Sequence, residues 1–142
     1  MTYILFVVGC KNAGKTRLTE LLVPRLTTRV GRVGTIKNAE RGHFEWEREG
    51  TDTHRHFSAG SALTGIISGN VFALESRDTQ KMIDVMRIVE SHYKQIALVL
   101  AEGFSTSPGL KIEVQRTGCT DRIVATDDNC LATYGDSVMS AN

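Results

Sequence analysis

The sequence predicts an α/β fold around a largely parallel sheet, and three stretches carry that prediction. Tyr3-Ile4-Leu5-Phe6-Val7-Val8 is an unbroken apolar run rich in strand formers, as a strand buried on both faces should be. It leads directly into Gly9-Cys10-Lys11-Asn12-Ala13-Gly14-Lys15-Thr16, which fits the phosphate-binding template G-x-x-x-x-G-K-[ST] at every constrained position. A second fully apolar run, Ile96-Ala97-Leu98-Val99-Leu100-Ala101, ends in Glu102-Gly103. Leu18, Leu21, Leu22 and Leu26 fall on one stripe of a helix, so the glycine-rich loop has a strand before it and a helix after it.

The residue types in the loop suit a polyphosphate. Several anionic oxygens are held most cheaply by backbone N–H donors at the mouth of a helix. Gly9 lets the chain turn off the strand, and Gly14 lets backbone approach phosphate where a side chain would collide. Lys15 would reach the β- and γ-phosphates, and the Thr16 hydroxyl would ligate Mg²⁺. Such a site needs an acid at the tip of a neighbouring strand to orient the waters of the metal, and Glu102 is the acid placed for it.

A chain of 142 residues is long enough for one hydrophobic core and short for two, so a single domain over residues 1–142 is expected. With 17 basic and 16 acidic residues, no global charge points to nucleic acid or to a membrane surface. The opening apolar run is too short for a signal segment or a membrane span, and a cytoplasmic protein is expected. The three cysteines, Cys10, Cys119 and Cys130, contain no C-x-x-C pair, which supports neither a disulfide framework nor a zinc ribbon. Cys10 reads as a small filler within the loop.

Pro24 should bend or end the first helix. Val33-Gly34-Thr35-Ile36-Lys37 is a short second strand whose Lys37 stands where parallel sheets place ligand contacts, or else is a solvated lysine at a strand end. From Asn38 to Gly50 charges interleave with His43, Phe44 and Trp46, the pattern of a partner surface or of a polar loop. A short helix follows, capped by Thr51 or Asp52 and stopped by Gly60. A metal cluster of His43, Asp52, His54 and His56 is disfavoured, because residues two apart on a helix face different ways. Asp52 remains open between a cap and a ligand contact.

Residues 63–68 and 71–75 make a hairpin about Gly69-Asn70. Asp78 or Thr79 then caps a helix reaching to about Tyr93, with Met82, Ile83, Val85, Met86 and Val89 as core positions. Residues 110–115 alternate apolar and polar as a half-exposed strand, and Ile123-Val124-Ala125-Thr126 is a last short strand ending at Asp127 and Asp128. Past Leu131 no pattern is legible.

The order of these pieces resembles the molybdopterin-guanine dinucleotide biosynthesis protein B (MobB) family over roughly Ile4 to Asp128. The family's phosphate loop falls on Gly9 to Thr16 and its strand-ending lysine on Lys37. Its Gly-Lys-Asp-Ser/Thr element falls on Gly50-Thr51-Asp52-Thr53, its Ala-Gly-Ala/Ser on Ala59-Gly60-Ser61, its Glu-Gly-Phe on Glu102-Gly103-Phe104 and its Lys-Ile-Glu-Val on residues 111–114. The sequence departs from the family at Arg17, Asn38, Thr51 and Ser105.

The resemblance implies a P-loop NTPase-like three-layer α/β/α sandwich that binds GTP with Mg²⁺ and is a weak GTPase at most. It further implies an adaptor in molybdenum cofactor maturation, working beside the molybdopterin guanylyltransferase, with homodimers usual. Gly9, Cys10, Lys11, Asn12, Ala13, Gly14, Lys15, Thr16, Arg17, Lys37, Asp52, Thr53 and Asp127 are the candidate nucleotide contacts, and Thr16 with Glu102 the candidate metal site. Asp127 is the acid that could accept from guanine, or an exposed turn residue, and the preference for GTP over ATP rests on the resemblance. No residue is assigned to orient a water or to carry the developing charge of hydrolysis, which favours an adaptor over an efficient enzyme. Two rivals remain: a small-molecule kinase built on the same loop, with Arg41, Arg48 and Arg55 available for a lid, and a non-catalytic interaction module in which the site is degenerate.

Overall fold

A computed structural model describes residues 2–38, 49–76, 84–118, 128–135 and 140–141. The chain divides into two compact units, Met1–Asn38 with Val85–Asn142, and Ala39–Asp84.

The first unit is built on a six-stranded sheet. Its strands are β1 (Tyr3–Val8), β2 (Val33–Lys37), β5 (Leu98–Glu102), β6 (Lys111–Gln115), β7 (Cys130–Gly135) and β8 (Ser140–Ala141), and the helices are α1 (Lys15–Val30) and α3 (Asp84–His92). The spatial order is β2-β5-β1-β6-β7-β8. Every pairing is parallel except the last, β7 with β8. The largely parallel sheet expected from two apolar runs is therefore present, with β1 and β5 side by side at its centre.

Alternation along β1 explains why its sequence is apolar throughout. Phe6 and Val8 join Ala101 and Phe104 in one buried cluster, while Val7 joins Ala13, Leu18 and Val114 in another. Successive side chains of a strand point to opposite faces, so both faces of β1 are packed. Phe6 and Phe104 meet edge to face, with ring centroids 6.5 Å apart.

α1 supplies Leu18 and, partly buried, Leu22 to the second cluster. Pro24 does not end it: the helix continues to Val30. A proline removes one N–H from the ladder, the one that would serve the Glu20 carbonyl, and the turn around it also carries side-chain bonds from Arg25 and Thr27 to the carbonyls of Leu21 and Val23, at 3.0 and 2.8 Å. Beyond α3, the Tyr93 hydroxyl donates to the Thr35 carbonyl at 2.7 Å and ties the helix exit to β2. Partial burial raises the pKa of that phenol from its ordinary 10.0.

Two expectations for the C-terminal part need correction. β6 is an interior strand rather than a half-exposed one, because β1 and β7 flank it, and its polar Lys111 and Glu113 are both 3% exposed. The Lys111 ammonium is accommodated by the Ser107 carbonyl at 2.8 Å and by the face of Phe6. Residues 130–135, where no pattern is legible in the sequence, form β7, since parallel pairing along β6 supplies what apolar content does not. The strand expected at residues 123–126, the cap at Asp78 or Thr79, and Asp127 lie outside the described residues.

The second unit contains α2 (Asp52–Ser58) and a two-stranded antiparallel hairpin, β3 (Leu63–Ser68) and β4 (Val71–Ser76). Thr51 is the cap of α2, its hydroxyl accepting from the His54 amide at 3.4 Å, which places Asp52 in the first turn. Ser68 pairs with Val71 about Gly69-Asn70, the two-residue turn expected. Residues 39–48, which include His43, Phe44 and Trp46, lie outside the described residues. Among the described residues no helix is long and apolar enough to cross a membrane.

Candidate functional site

The site begins where β1 runs out. Gly9 has φ of 138°, and a Cβ there would stand 2.3 Å from the Val114 carbonyl oxygen, so only glycine allows the loop to leave β1 while β6 lies beside it. Asn12 and Gly14 are also left-handed, at φ of 62° and 104°. A Cβ on Gly14 would meet nothing within 4 Å, so its backbone angle rather than space is what calls for glycine. Gly14 is the N-cap of α1, with no side-chain cap and no acidic residue in the first turn. An uncapped helix start without carboxylates is a favourable place for an anion.

The side chains of the motif are set around this turn. The Lys15 ammonium donates to the Gly9 carbonyl at 2.9 Å and to that of Cys10, folding back across the loop. The Thr16 hydroxyl lies 3.0 Å from each carboxylate oxygen of Glu102, sharing its proton between them. Loop and strand tip, 86 residues apart in sequence, are joined by that contact.

Glu102 is positioned by the sheet. It pairs in register with Val7 on one side and Lys37 on the other. Its own carbonyl accepts from Asn38, and the next amide, Gly103, donates to Val7, both at 3.0 Å. Register with β2 brings the Lys37 ammonium to 3.2 Å from the carboxylate, whose side chain is 10% exposed while Lys37 is 61% exposed. The structure thus brings together Gly9 to Thr16, Glu102 and Lys37.

Other expected residues stand elsewhere. Arg17 is on the exposed side of α1, paired with Glu20 at 3.6 Å. Asp52 and Thr53 belong to α2 of the other unit, where exposed Asp52 lies 3.9 Å from Arg55. Among the described residues no three His, Cys, Asp or Glu side chains form a metal-holding group. Among the described residues Cys130 is a free thiol.

One residue beside the loop was not anticipated. Arg116, immediately after β6, donates from Nη1 to the Asn12 carbonyl at 3.0 Å. The signal was present, since Arg116 follows a strand end just as Lys37 closes one, but its meaning depends on β6 lying next to β1.

Comparisons with known proteins agree with this geometry. The molybdopterin-guanine dinucleotide biosynthesis adapter protein of Haemophilus influenzae is 30% identical over 130 residues, covering 91% of this chain and 72% of the relative. The probable adapter protein of the same name from Bacillus subtilis is 28% identical over 113 residues, 78% of this chain and 64% of that protein. The crystal structure of Bacillus subtilis MobB superposes with a TM-score of 0.62 at 25% identity, over 80% of this chain and 68% of the other. The chain therefore spans about two thirds of the length of these relatives. Residues 4–136 match the family described as Molybdopterin guanine dinucleotide synthesis protein B, and with the loop, the strand order and Glu102 in place, the chain belongs to the MobB family.

Proposed function

We propose that this protein binds Mg²⁺-GTP in the Gly9–Thr16 loop and serves as an adaptor in molybdenum cofactor maturation, assisting the guanylyltransferase that forms molybdopterin guanine dinucleotide. The observation that carries the nucleotide part is the contact of Thr16 with Glu102 at 3.0 Å, which places a hydroxyl and a largely buried carboxylate together below an uncapped helix start. Hard oxygen donors of this kind suit Mg²⁺, with Thr16 as direct ligand and Glu102 orienting its waters. The ion would neutralise phosphate charge. Lys15 would exchange its two carbonyl acceptors for phosphate oxygens, a gain because the new partners are charged. Asp52, Thr53, Arg17 and Asp127 remain candidate contacts on the family resemblance, as does guanine selectivity.

The adaptor reading is supported by the names of the relatives. It is also supported by the site itself, where among the described residues no side chain is assigned to orient an attacking water. Hydrolysis would be weak. Homodimers, usual in the family, would find apolar surface on the hairpin, where Ile67 and Phe72 are in register and 77% and 63% exposed. The test is reconstitution: formation of molybdopterin guanine dinucleotide by the guanylyltransferase, with this protein, without it, and with Lys15→Ala. Stimulation by the native protein that Lys15→Ala loses is expected, whereas equal rates in all three would refute the adaptor role.

A further inference from the structure

We propose that Arg116 is a phosphate-contacting residue of the nucleotide site, a cation delivered to the loop by β6 and held there by the loop's own backbone. This rests on the nucleotide-binding reading given above. β6 approaches the loop so closely that Gly9 tolerates no side chain against Val114, and Arg116 lies two residues beyond that contact. Its guanidinium bridges 104 residues of sequence to reach the carbonyl of Asn12, the left-handed residue inside the loop.

The partner it holds is informative. Arg17 is paired with Glu20, Lys37 with Glu102 and Arg55 with Asp52, so each of these charges is already met by a carboxylate. Arg116 is exposed, and among the described residues its one partner is a neutral carbonyl. A hydrogen bond to a neutral acceptor orients the guanidinium without cancelling its charge. Guanidinium carries five N–H donors in a planar fork and this bond uses one, leaving donors for a phosphate oxygen. Arg25 also donates to a neutral carbonyl, but one of its own helix four residues away, whereas Arg116 reaches across 104 residues to the phosphate loop. Beside a polyphosphate, a guanidinium already tethered to the loop would add a second cation to that of Lys15.

The experiment separates charge from pinning. Arg116→Lys keeps the charge and a long side chain but not the planar fork, Arg116→Gln keeps a shorter polar side chain without the charge, and Arg116→Ala loses both; Arg116→Lys is expected to retain more affinity than Arg116→Gln. Binding of Mg²⁺-GTP and of inorganic triphosphate would be measured by calorimetry at two salt concentrations, with melting curves to confirm folding. Arg116→Gln is expected to weaken both ligands by about tenfold, with a shallower salt dependence than the native protein. Arg116→Gln binding like the native protein while Arg116→Ala is weakened would make the residue a structural pin and overturn the proposal. So would a loss confined to GTP with inorganic triphosphate unaffected, which would place Arg116 against sugar or base. If the native protein bound neither ligand, the underlying reading would fail, and this inference with it.

Discussion

Replacing Glu102 by Gln removes one charge from the site while keeping the shape of the side chain. The carboxylate is 10% exposed, accepts from Thr16 at 3.0 Å and lies 3.2 Å from the Lys37 ammonium. For folding, the losses and gains oppose each other. A charge-assisted hydrogen bond contributes about 1.5–3 kcal/mol, of which Gln retains the neutral part. The pair with Lys37, 61% exposed and solvent-screened, adds at most about 1 kcal/mol. Relief of carboxylate desolvation offsets both, so stability should change by no more than about 1 kcal/mol. Binding has no such compensation. Loss of a group that orients the shell of a metal typically costs about 10–100-fold in affinity, or about 1.4–2.7 kcal/mol. The assay is denaturant unfolding together with calorimetric GTP titration, in Mg²⁺ and in chelator. Affinity in Mg²⁺ should fall by that factor, with affinity in chelator unchanged. A loss of more than about 3 kcal/mol of stability with the Mg²⁺ dependence intact would refute the reasoning and make Glu102 a structural ion-pair residue.

Other perturbations test other links. Gly9→Ala forces a Cβ to within 2.3 Å of the Val114 carbonyl and should destabilise the protein by about 1–3 kcal/mol, read from the denaturation midpoint; an unchanged midpoint would contradict the close approach of β6. Tyr93→Phe should cost about 0.5–1.5 kcal/mol through loss of the bond to Thr35. Because burial raises the Tyr93 pKa above 10.0, its protonated form is favoured by folding; that contribution is complete below pH 10.0 and is lost as pH rises through the folded pKa, so native stability should fall more steeply than that of Tyr93→Phe above pH 10.0. Ile67→Lys with Phe72→Ser should lower the mass found by light scattering if the hairpin pairs two copies, and the same mass as the native protein would remove the hairpin from that role.

What was legible in the sequence was local. Strand, loop and helix from Tyr3 to Val30 are contiguous, and their pattern reports burial and turn directly. Glu102 was legible because an apolar run ending in an acid states both its strand and its tip. Lys37 was placed correctly at a strand end, but its pairing with Glu102 depends on β2 lying beside β5, which no local pattern records. Strand order likewise hid three features: the burial of Lys111 and Glu113, the strand at Cys130–Gly135, and the reach of Arg116 to Asn12. Each follows from β6 being interior and adjacent to β1, a property of the sheet rather than of any segment. At Pro24 the sequence left a bend or an end open, and the helix runs on to Val30 with Leu18 and Leu22 packed against the sheet.

The central claim is a Mg²⁺-dependent GTP site formed by Lys15, Thr16 and Glu102, and calorimetric titration with GTP and with ATP, with and without Mg²⁺, tests it most directly. Mg²⁺-dependent binding that favours GTP and is lost in Lys15→Ala is the predicted result. Binding that prefers ATP would point instead to the kinase reading, and no binding by the native protein would contradict the claim outright.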